Sequence, residues 1–451
     1  MSRERIIIFA TVVIMMTISP VTVVGEKMVI GYYPHWLKSD LPPEKIDLNI
    51  LTHIIHAFAW PNSDGTLSTY NGMIDANLNY QVHLGAKQIL ISLGGWGNST
   101  AFSDVTGNSS LRSTFIANIV SFIQQNDYDG VDIDWEFPST LSDRENLTLF
   151  MSELRSALDM IDTGYLLTMA ISSGNWYGQW FDYEKLVSIC DWLGVMTYDF
   201  HGTWSSHAGH NSPISSPSNC SDGSVETALS YLRDQRYIPS TQLVLGIPFY
   251  GKMFNAPELY ESFTGDVTDL VYHKIPSYIN ADWSRLWDDY SKVPYLMSSD
   301  ATKLITYDDS ISVAIKTEKA IQEDLSGVMI WAIGQDLNNG RQPLLEAVGN
   351  SMRAVSVINN TPSPETMRLY NSYPNPFNSS TTIQFRIPQN SHLTLDILDI
   401  NGGIVEKLFS GKLEKGSHSV KWNPPHISSG IYFMVLQSNK NVMTNKLLYI
   451  K

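Results

Sequence analysis

The chain has 451 residues, 43% of them hydrophobic and 17% charged, with a formal net charge of −15. That is enough apolar material for a large core and too little charge for a disordered chain. The acidic balance argues against nucleic acid or an anionic membrane as partner, since both would repel it.

The N-terminus carries Arg3 and Arg5, then an apolar run from Ile6 to Ile18, then Ser19-Pro20 and Val23-Val24-Gly25. A basic start, an apolar centre and a small residue at the cut predict a signal peptide over residues 1–25. The run is short for a bilayer span and Pro20 breaks it. No later stretch is long and apolar enough to span, so a secreted or cell-surface protein without a membrane span in its mature form is expected.

Short apolar runs then alternate with longer stretches of helical spacing. Met28–Tyr33, Leu51–Phe58, Gln88–Leu93, Asp129–Glu136, Leu166–Ser172, Trp192–Tyr198, Leu243–Phe249 and Gly327–Ile333 read as strands. Leu111–Gln125, Arg144–Ile161, Val225–Arg233 and Val313–Leu325 read as helices between them. This alternation predicts an α/β fold, a (β/α)8 TIM barrel over residues 26–353. A doubly wound sheet is the alternative. It usually carries a Gly-rich phosphate turn after its first strand, and Tyr33-Pro34-His35-Trp36 is not one.

In such barrels the active site gathers at the C-terminal ends of the strands. Tyr32, Phe58, Trp96, Glu136, Tyr198, Tyr250 and Trp331 fall there by position. Any one of these rings alone reads as core packing. Together, around an acid, they outline a polysaccharide cleft. The connection from Lys252 to about Ile305 is too long for an ordinary loop. It is predicted to fold as a small inserted subdomain between strands 7 and 8.

Residues 354–365 are polar and Pro-punctuated, as a linker would be. From 366 to 451 the pattern is all β, with runs such as Thr381–Ile387, Leu393–Ile400 and Ile431–Ser438 separated by Asn401-Gly402-Gly403 and Ser428-Ser429-Gly430. Short strands at this spacing predict a β-sandwich. Cys190 and Cys220 are the two cysteines. A disulfide and two separate thiols both remain open. The histidines show no H-x-x-x-H pair on a helix, so neither a metal nor a cofactor is expected.

The stretch richest in chemistry is Asp129-Gly130-Val131-Asp132-Ile133-Asp134-Trp135-Glu136-Phe137-Pro138. Acids at every second position place Asp132, Asp134 and Glu136 on one face of a strand. A solvated edge strand would also read this way. Like charges along one face repel, however, and stability alone would not select them. Glycoside hydrolysis needs a proton donor to the leaving oxygen and a nucleophile or base at the anomeric carbon. Glu136, nearest the strand end, is the candidate donor. Burial and neighbouring acids would raise its pKa. No second isolated carboxylate stands out as nucleophile, and Asp199 is an unsettled candidate.

Asp129–Glu136 resembles the D-G-x-D-x-D-x-E signature of family 18 glycoside hydrolases, the chitinase-like barrels. Ser92-Leu93-Gly94-Gly95-Trp96 resembles that family's S-x-G-G motif, and Met196-Thr197-Tyr198-Asp199 its M-x-Y-D. Gly246-Ile247-Pro248-Phe249-Tyr250-Gly251 is similar to its seventh-strand segment, and Trp331 to the tryptophan under its cleft. The resemblance covers about residues 27–350, and the stretch at about 252–305 resembles the family's small α+β insertion between strands 7 and 8. It implies a retaining, substrate-assisted mechanism on chitin or N-acetylglucosamine oligosaccharides. Glu136 would protonate the glycosidic oxygen, and the substrate's acetamido carbonyl would attack the anomeric carbon. Asp134 would orient that acetamido group, Asp132 would hold or share a proton with Asp134, and Tyr198 would donate to the acetamido oxygen. Trp331 would stack under the sugar and Trp96 would grip the leaving side. Asp199, Met196, Tyr32, Phe58, Tyr250, Phe137 and Lys252 would line the cleft. The family also holds sugar-binding lectins without activity and enzymes acting on N-glycans or peptidoglycan, so these remain alternatives. Phe137 stands where the family usually has Tyr, and Lys252 where many members have Arg.

The C-terminal module resembles a type IX secretion sorting domain, through Tyr373-Pro374-Asn375-Pro376-Phe377-Asn378, Asp399-Ile400-Asn401-Gly402 and Ser429-Gly430-Ile431-Tyr432. Such domains engage outer-membrane secretion machinery and are often removed.

Overall fold

A computed structural model describes residues 27–451 of the chain, apart from 217–221, 281, 361–366, 370, 371, 373, 388, 389, 415, 425, 426 and 439–441. The expected signal peptide, Cys220, Tyr373 and the second half of the expected linker lie outside the described residues. The chain divides into two units, residues 26–355 and residues 356–451.

In the first unit eight parallel strands pair in chain order. They are β1 (Met28–Pro34), β2 (His53–Pro61), β3 (Gln88–Gly94), β4 (Gly130–Asp134), β5 (Leu166–Ser172), β6 (Leu193–Met196), β7 (Leu243–Pro248) and β8 (Gly327–Trp331). Because β1 pairs with both β2 and β8, the sheet closes into the expected TIM barrel.

The period-2 pattern of the strands sorts their side chains into two layers. Ile30, Tyr32, Ile55, Ala57, Leu90, Val244 and Met329 form the layer inside the barrel. The intervening Val29, Ile54, Ile89, Ile91, Val131 and Ile133 pack outwards with Phe115, Ile119, Leu147 and Phe150 of the surrounding helices. These helices begin where the sequence supplies caps. Asn108 accepts from the N–H groups of Ser110 and Leu111 at the start of Ser109–Gln125. Thr140 accepts from the N–H of Asp143 in Leu141–Asp159. Each cap satisfies donors that the first helical turn leaves free. Behind the acidic strand, Phe102 stacks on Trp135 at 5.2 Å and meets Phe115 edge-on at 6.0 Å. This fixes the apolar half of the motif, so its acidic half faces the barrel interior.

After β7 the chain forms a five-stranded antiparallel sheet from Tyr250–Asn255, Thr264–Val271, Trp283–Asp288, Val293–Ser298 and Leu304–Thr306. This is the insertion expected over 252–305. Its helical part is the 3-10 segment Tyr272–Tyr278, which contains Pro276. Pro276 lacks the N–H that a longer helix would need. The helix Pro343–Asn360 runs into the stretch expected as linker, 354–365.

The second unit holds two antiparallel sheets. One consists of Arg368–Leu369, Thr381–Ile387 and Gly416–Trp422. The other consists of Ile404–Leu413, Ser391–Leu398, Gly430–Ser438 and Val442–Tyr449. Ile383 and Phe385 of the first pack in one core with Leu395, Ile397, Met434 and Leu436 of the second. Two inner faces enclosing one core make a β-sandwich. Among the described residues no helix is long and apolar enough to cross a membrane.

Candidate active site

The acidic strand ends two residues earlier than its alternation implies. β4 stops at Asp134, and Glu136 stands beyond it rather than on it. The turn after β3 explains the break. Gly94 and Gly95 adopt φ of +118° and +82°, a region open to glycine. The Gly95 N–H then donates to the carbonyl of Asp134 at 2.8 Å. A Cβ on Gly94 would lie 2.2 Å from that same oxygen, so no larger residue fits. The Glu136 N–H leaves the sheet and donates to Ser99 Oγ at 3.0 Å. Non-proline cis peptides occur at Ala57–Phe58 within β2, at Glu136–Phe137 past the end of β4 and at Trp331–Ala332 at the end of β8.

Asp132 is buried and fully engaged. Its Oδ2 accepts from Tyr32 Oη at 2.9 Å and from Ser92 Oγ at 2.8 Å. Its Oδ1 accepts from Thr168 Oγ1 at 2.6 Å. Ser92 and Thr168 are its register partners on β3 and β5, while Tyr32 reaches it across the interior from β1. Burial raises the Asp132 pKa, and the three hydroxyl donors pull it the other way.

Asp134 sits one pleat higher in a different situation. It is buried, and its Oδ1 has no hydrogen-bond partner among the described residues. Burial, then the charges of Glu136 and Asp132, push its pKa well above the ordinary carboxylate range. Burial and then Asp199 push Glu136 up to about 7, against a smaller opposing contribution from the Trp96 N–H. Asp134 and Glu136 therefore titrate as a pair, and near neutral pH the pair retains a proton.

Opposite them lies a second cluster. Tyr198 is a neutral hydroxyl, its pKa raised well up by burial and by the charges of Asp134, Asp199, Glu136 and Asp132. Tyr250 Oη donates to Asp199 Oδ1 at 2.7 Å. Lys252 Nζ lies 2.9 Å from Asp199 Oδ1 and 2.8 Å from Asp269 Oδ1. Burial alone would favour the neutral amine, but Asp199 and Asp269 outweigh it and hold the Lys252 pKa up. Lys252, at the position where many members of the resembled family have Arg, is thus a buried cation bridging the barrel rim to the inserted sheet. Its ammonium also lies 5.4 Å from the centroids of the Trp204 and Tyr250 rings.

Trp331, half-buried at the end of β8, forms the aromatic centre. Phe58 stacks near-parallel to it at 5.5 Å, Tyr32 meets it edge-on at 5.6 Å and Trp36 at 6.5 Å. Met196 packs in the same cluster. Phe137, lacking the hydroxyl of the family's usual tyrosine, stacks on Tyr177 at 4.1 Å instead. Trp96 stands exposed after β3. The exposed rings Trp36, Trp176 and Trp204 lie in the segments after β1, β5 and β6 and are additional to the residues the sequence predicts. Their loops carry no periodicity that would mark them. Large exposed aromatics in several loops at one barrel end are the signal that was available. The expectation of no metal rested on helical spacing. The fold nonetheless brings His201, His207 and Asp222 together in the loop after β6, a set able to hold an ion.

Residues 28–336 match the model of the Glycosyl hydrolases family 18, and residues 371–451 match that of the Secretion system C-terminal sorting domain. The chain is 29% identical to Chitinase A1 of Niallia circulans over 410 residues, covering 71% of this chain and 58% of that protein. It thus spans somewhat more than half the length of that relative. It is 29% identical to Probable chitinase 2 of Drosophila melanogaster, covering 69% of this chain and 72% of that one. The crystal structure of Ostrinia furnacalis Group IV chitinase in complex with allosamidin superposes with a TM-score of 0.67 at 26% identity, covering 73% of this chain and 99% of that one. The match over the whole barrel, with the acidic motif at its mouth, makes this chain a member of the Glycosyl hydrolases family 18.

Proposed function

We propose that the chain hydrolyses β-1,4-linked N-acetylglucosamine polymers of the chitin type, with retention and with Glu136 as acid and base. The observation that carries this reading is the pairing of a proton-retaining Glu136 with a buried Asp134 oxygen that no donor among the described residues satisfies. A buried acceptor without a donor costs stability unless a ligand supplies one. An acetamido N–H is such a donor.

Carboxylate accounting supports substrate assistance. Asp132 already accepts from three hydroxyls. Asp199 is held by Tyr250 and Lys252. Neither is left free to attack an anomeric carbon. In the proposed first step Glu136 passes its proton to the glycosidic oxygen, and the C1–O bond breaks as the acetamido oxygen bonds to C1. Asp134 accepts from the acetamido N–H and offsets the positive charge of the oxazolinium ion. Tyr198 donates to the acetamido oxygen. Glu136, now ionised, then takes a proton from water as the water attacks C1 and the ring opens. Trp331 stacks under the sugar, and Trp96 grips the leaving side. The chitinase relatives and the allosamidin complex of the Ostrinia furnacalis protein support chitin as the substrate class.

Wild-type protein should release products from chitin oligosaccharides faster than from N-glycoproteins or peptidoglycan, as read by mass spectrometry. A thiazoline analogue of the oxazolinium ion should inhibit it competitively. Binding of chitin oligosaccharide with no turnover of any of the three would instead make the chain a lectin. Indifference to the thiazoline would remove substrate assistance.

We also infer export by the N-terminal signal peptide followed by type IX secretion. The sorting-domain match over 371–451 supports this. In a host with that machinery, removal of residues 371–451 should leave the protein in the periplasm. Unchanged recovery from the medium by immunoblot would overturn the inference.

A further inference from the structure

The loop between β6 and the helix Val225–Ser230 holds a group of side chains that the hydrolytic reading does not use. His201 Nδ1 lies 2.9 Å from the carbonyl oxygen of His210, and His207 Nδ1 lies 3.1 Å from that of Ala208. A carbonyl only accepts, so each Nδ1 carries the proton and donates it. In a neutral ring the other nitrogen, Nε2, is then a lone pair. Both lone pairs face one carboxylate. His201 Nε2 is 3.1 Å from Asp222 Oδ2, and His207 Nε2 is 3.4 Å from Asp222 Oδ1. Lone pairs set against an anion repel unless a metal ion, or a proton on one of the rings, lies between them. Asp222 Oδ2 is buried and has no hydrogen-bond partner among the described residues.

The spacing is that of a coordination shell. A zinc ion with ligands at about 2.0–2.1 Å in tetrahedral array sets neighbouring ligand atoms about 3.3 Å apart. The three ligand atoms here all fall within 4.8 Å of one another, with the two nitrogen–oxygen separations near the tetrahedral value. Backbone carbonyls that fix the outer ring nitrogens are the usual second layer of a histidine metal site. The loop is shaped for it as well. A Cβ on Gly209 would lie 2.4 Å from the His201 ring, so the bare glycine lets the ring seat. The site is mostly enclosed, with His201 at 4%, Asp222 at 15% and His207 at 25% side-chain exposure.

We propose that His201 Nε2, His207 Nε2 and the Asp222 carboxylate bind one divalent transition-metal ion of the zinc type, which pins the loop carrying Asp199 and Trp204. Trp204 lies in sequence between the two histidines, and its ring covers Lys252. Two imidazoles and a carboxylate leave a fourth position for water. The ion has a structural part here, tying the rim of the cleft across the segment from 201 to 222.

The test uses the full chain without a histidine tag, stripped with a chelator and dialysed. Titration with Zn2+ alone in a calorimeter should show about one equivalent bound. Co2+ should give visible absorption bands of tetrahedral strength. Zn2+ should raise the melting temperature of the stripped protein. His207→Ala and Asp222→Asn should each weaken Zn2+ binding by more than about 100-fold and abolish that rise. Both side chains are partly exposed, and a far-UV spectrum matching wild type establishes that the variants fold. Absence of stoichiometric binding, or variants that bind as wild type does, would overturn the proposal and leave a histidine–carboxylate cluster without a metal. These readouts need no sugar, so they stand or fall apart from the hydrolase reading.

Discussion

Replacing Glu136 with Gln should lower kcat on chitin oligosaccharides by about 10²–10⁴-fold, the usual worth of a positioned general acid, while KM changes little. Glu136 is pushed up to about 7 by burial and by Asp199. It therefore carries the proton to be donated across the acidic and neutral range. Wild-type kcat should fall as pH rises through about 7, and the residual activity of the variant should not follow that limb. Wild-type stability should respond in the same sense. A carboxyl whose folded pKa is raised above its unfolded value stabilises the fold fully below the unfolded value, and that contribution is lost as pH rises through the folded one. The unfolded value is near 4.5 and the folded one about 7. Glu136→Gln cannot ionise, so its melting temperature should exceed that of wild type increasingly between those limits. A variant as active as wild type would end the assignment. One that is inactive but melts lower at alkaline pH would show that Glu136 is not a buried, proton-retaining group.

Asp134→Asn should cost about 10²–10³-fold in kcat, the scale of losing one pre-aimed electrostatic partner of a developing charge. The substitution keeps the shape but replaces the buried acceptor that has no partner among the described residues. It also removes a charge that holds the Tyr198 pKa up. The affinity for a thiazoline inhibitor should drop with kcat, because both depend on the same cationic ring. Inhibitor affinity preserved while kcat collapses would place Asp134 elsewhere in the reaction.

The barrel was legible because its strands alternate so regularly. Val131 and Ile133 faced the helices, and Asp132 and Asp134 faced inward, as the period required. The same period misled at Glu136, since alternation cannot see that Gly95 caps the carbonyl of Asp134 and ends the strand. The partners of Asp132 were hidden for a different reason. Tyr32, Ser92 and Thr168 lie 100, 40 and 36 residues away in sequence, and only barrel closure brings them near. Lys252 looked like a weakened arginine. Its meaning depends on Asp269, supplied by the next strand of the inserted sheet. His201, His207 and Asp222 escaped because a loop, not a helix, sets their spacing.

The Asp132 hydroxyl contacts tie function to the topology of the whole ring. Its three donors come from β1, β3 and β5, and β1 reaches it only across a closed interior. A half-barrel ending before or after β4 would lose at least one of them. The chemistry therefore cannot have been carried by either half alone in its present form. Any split or permuted version of this protein must rejoin β1 with β3–β5 before the acid pair above Asp132 has its foundation.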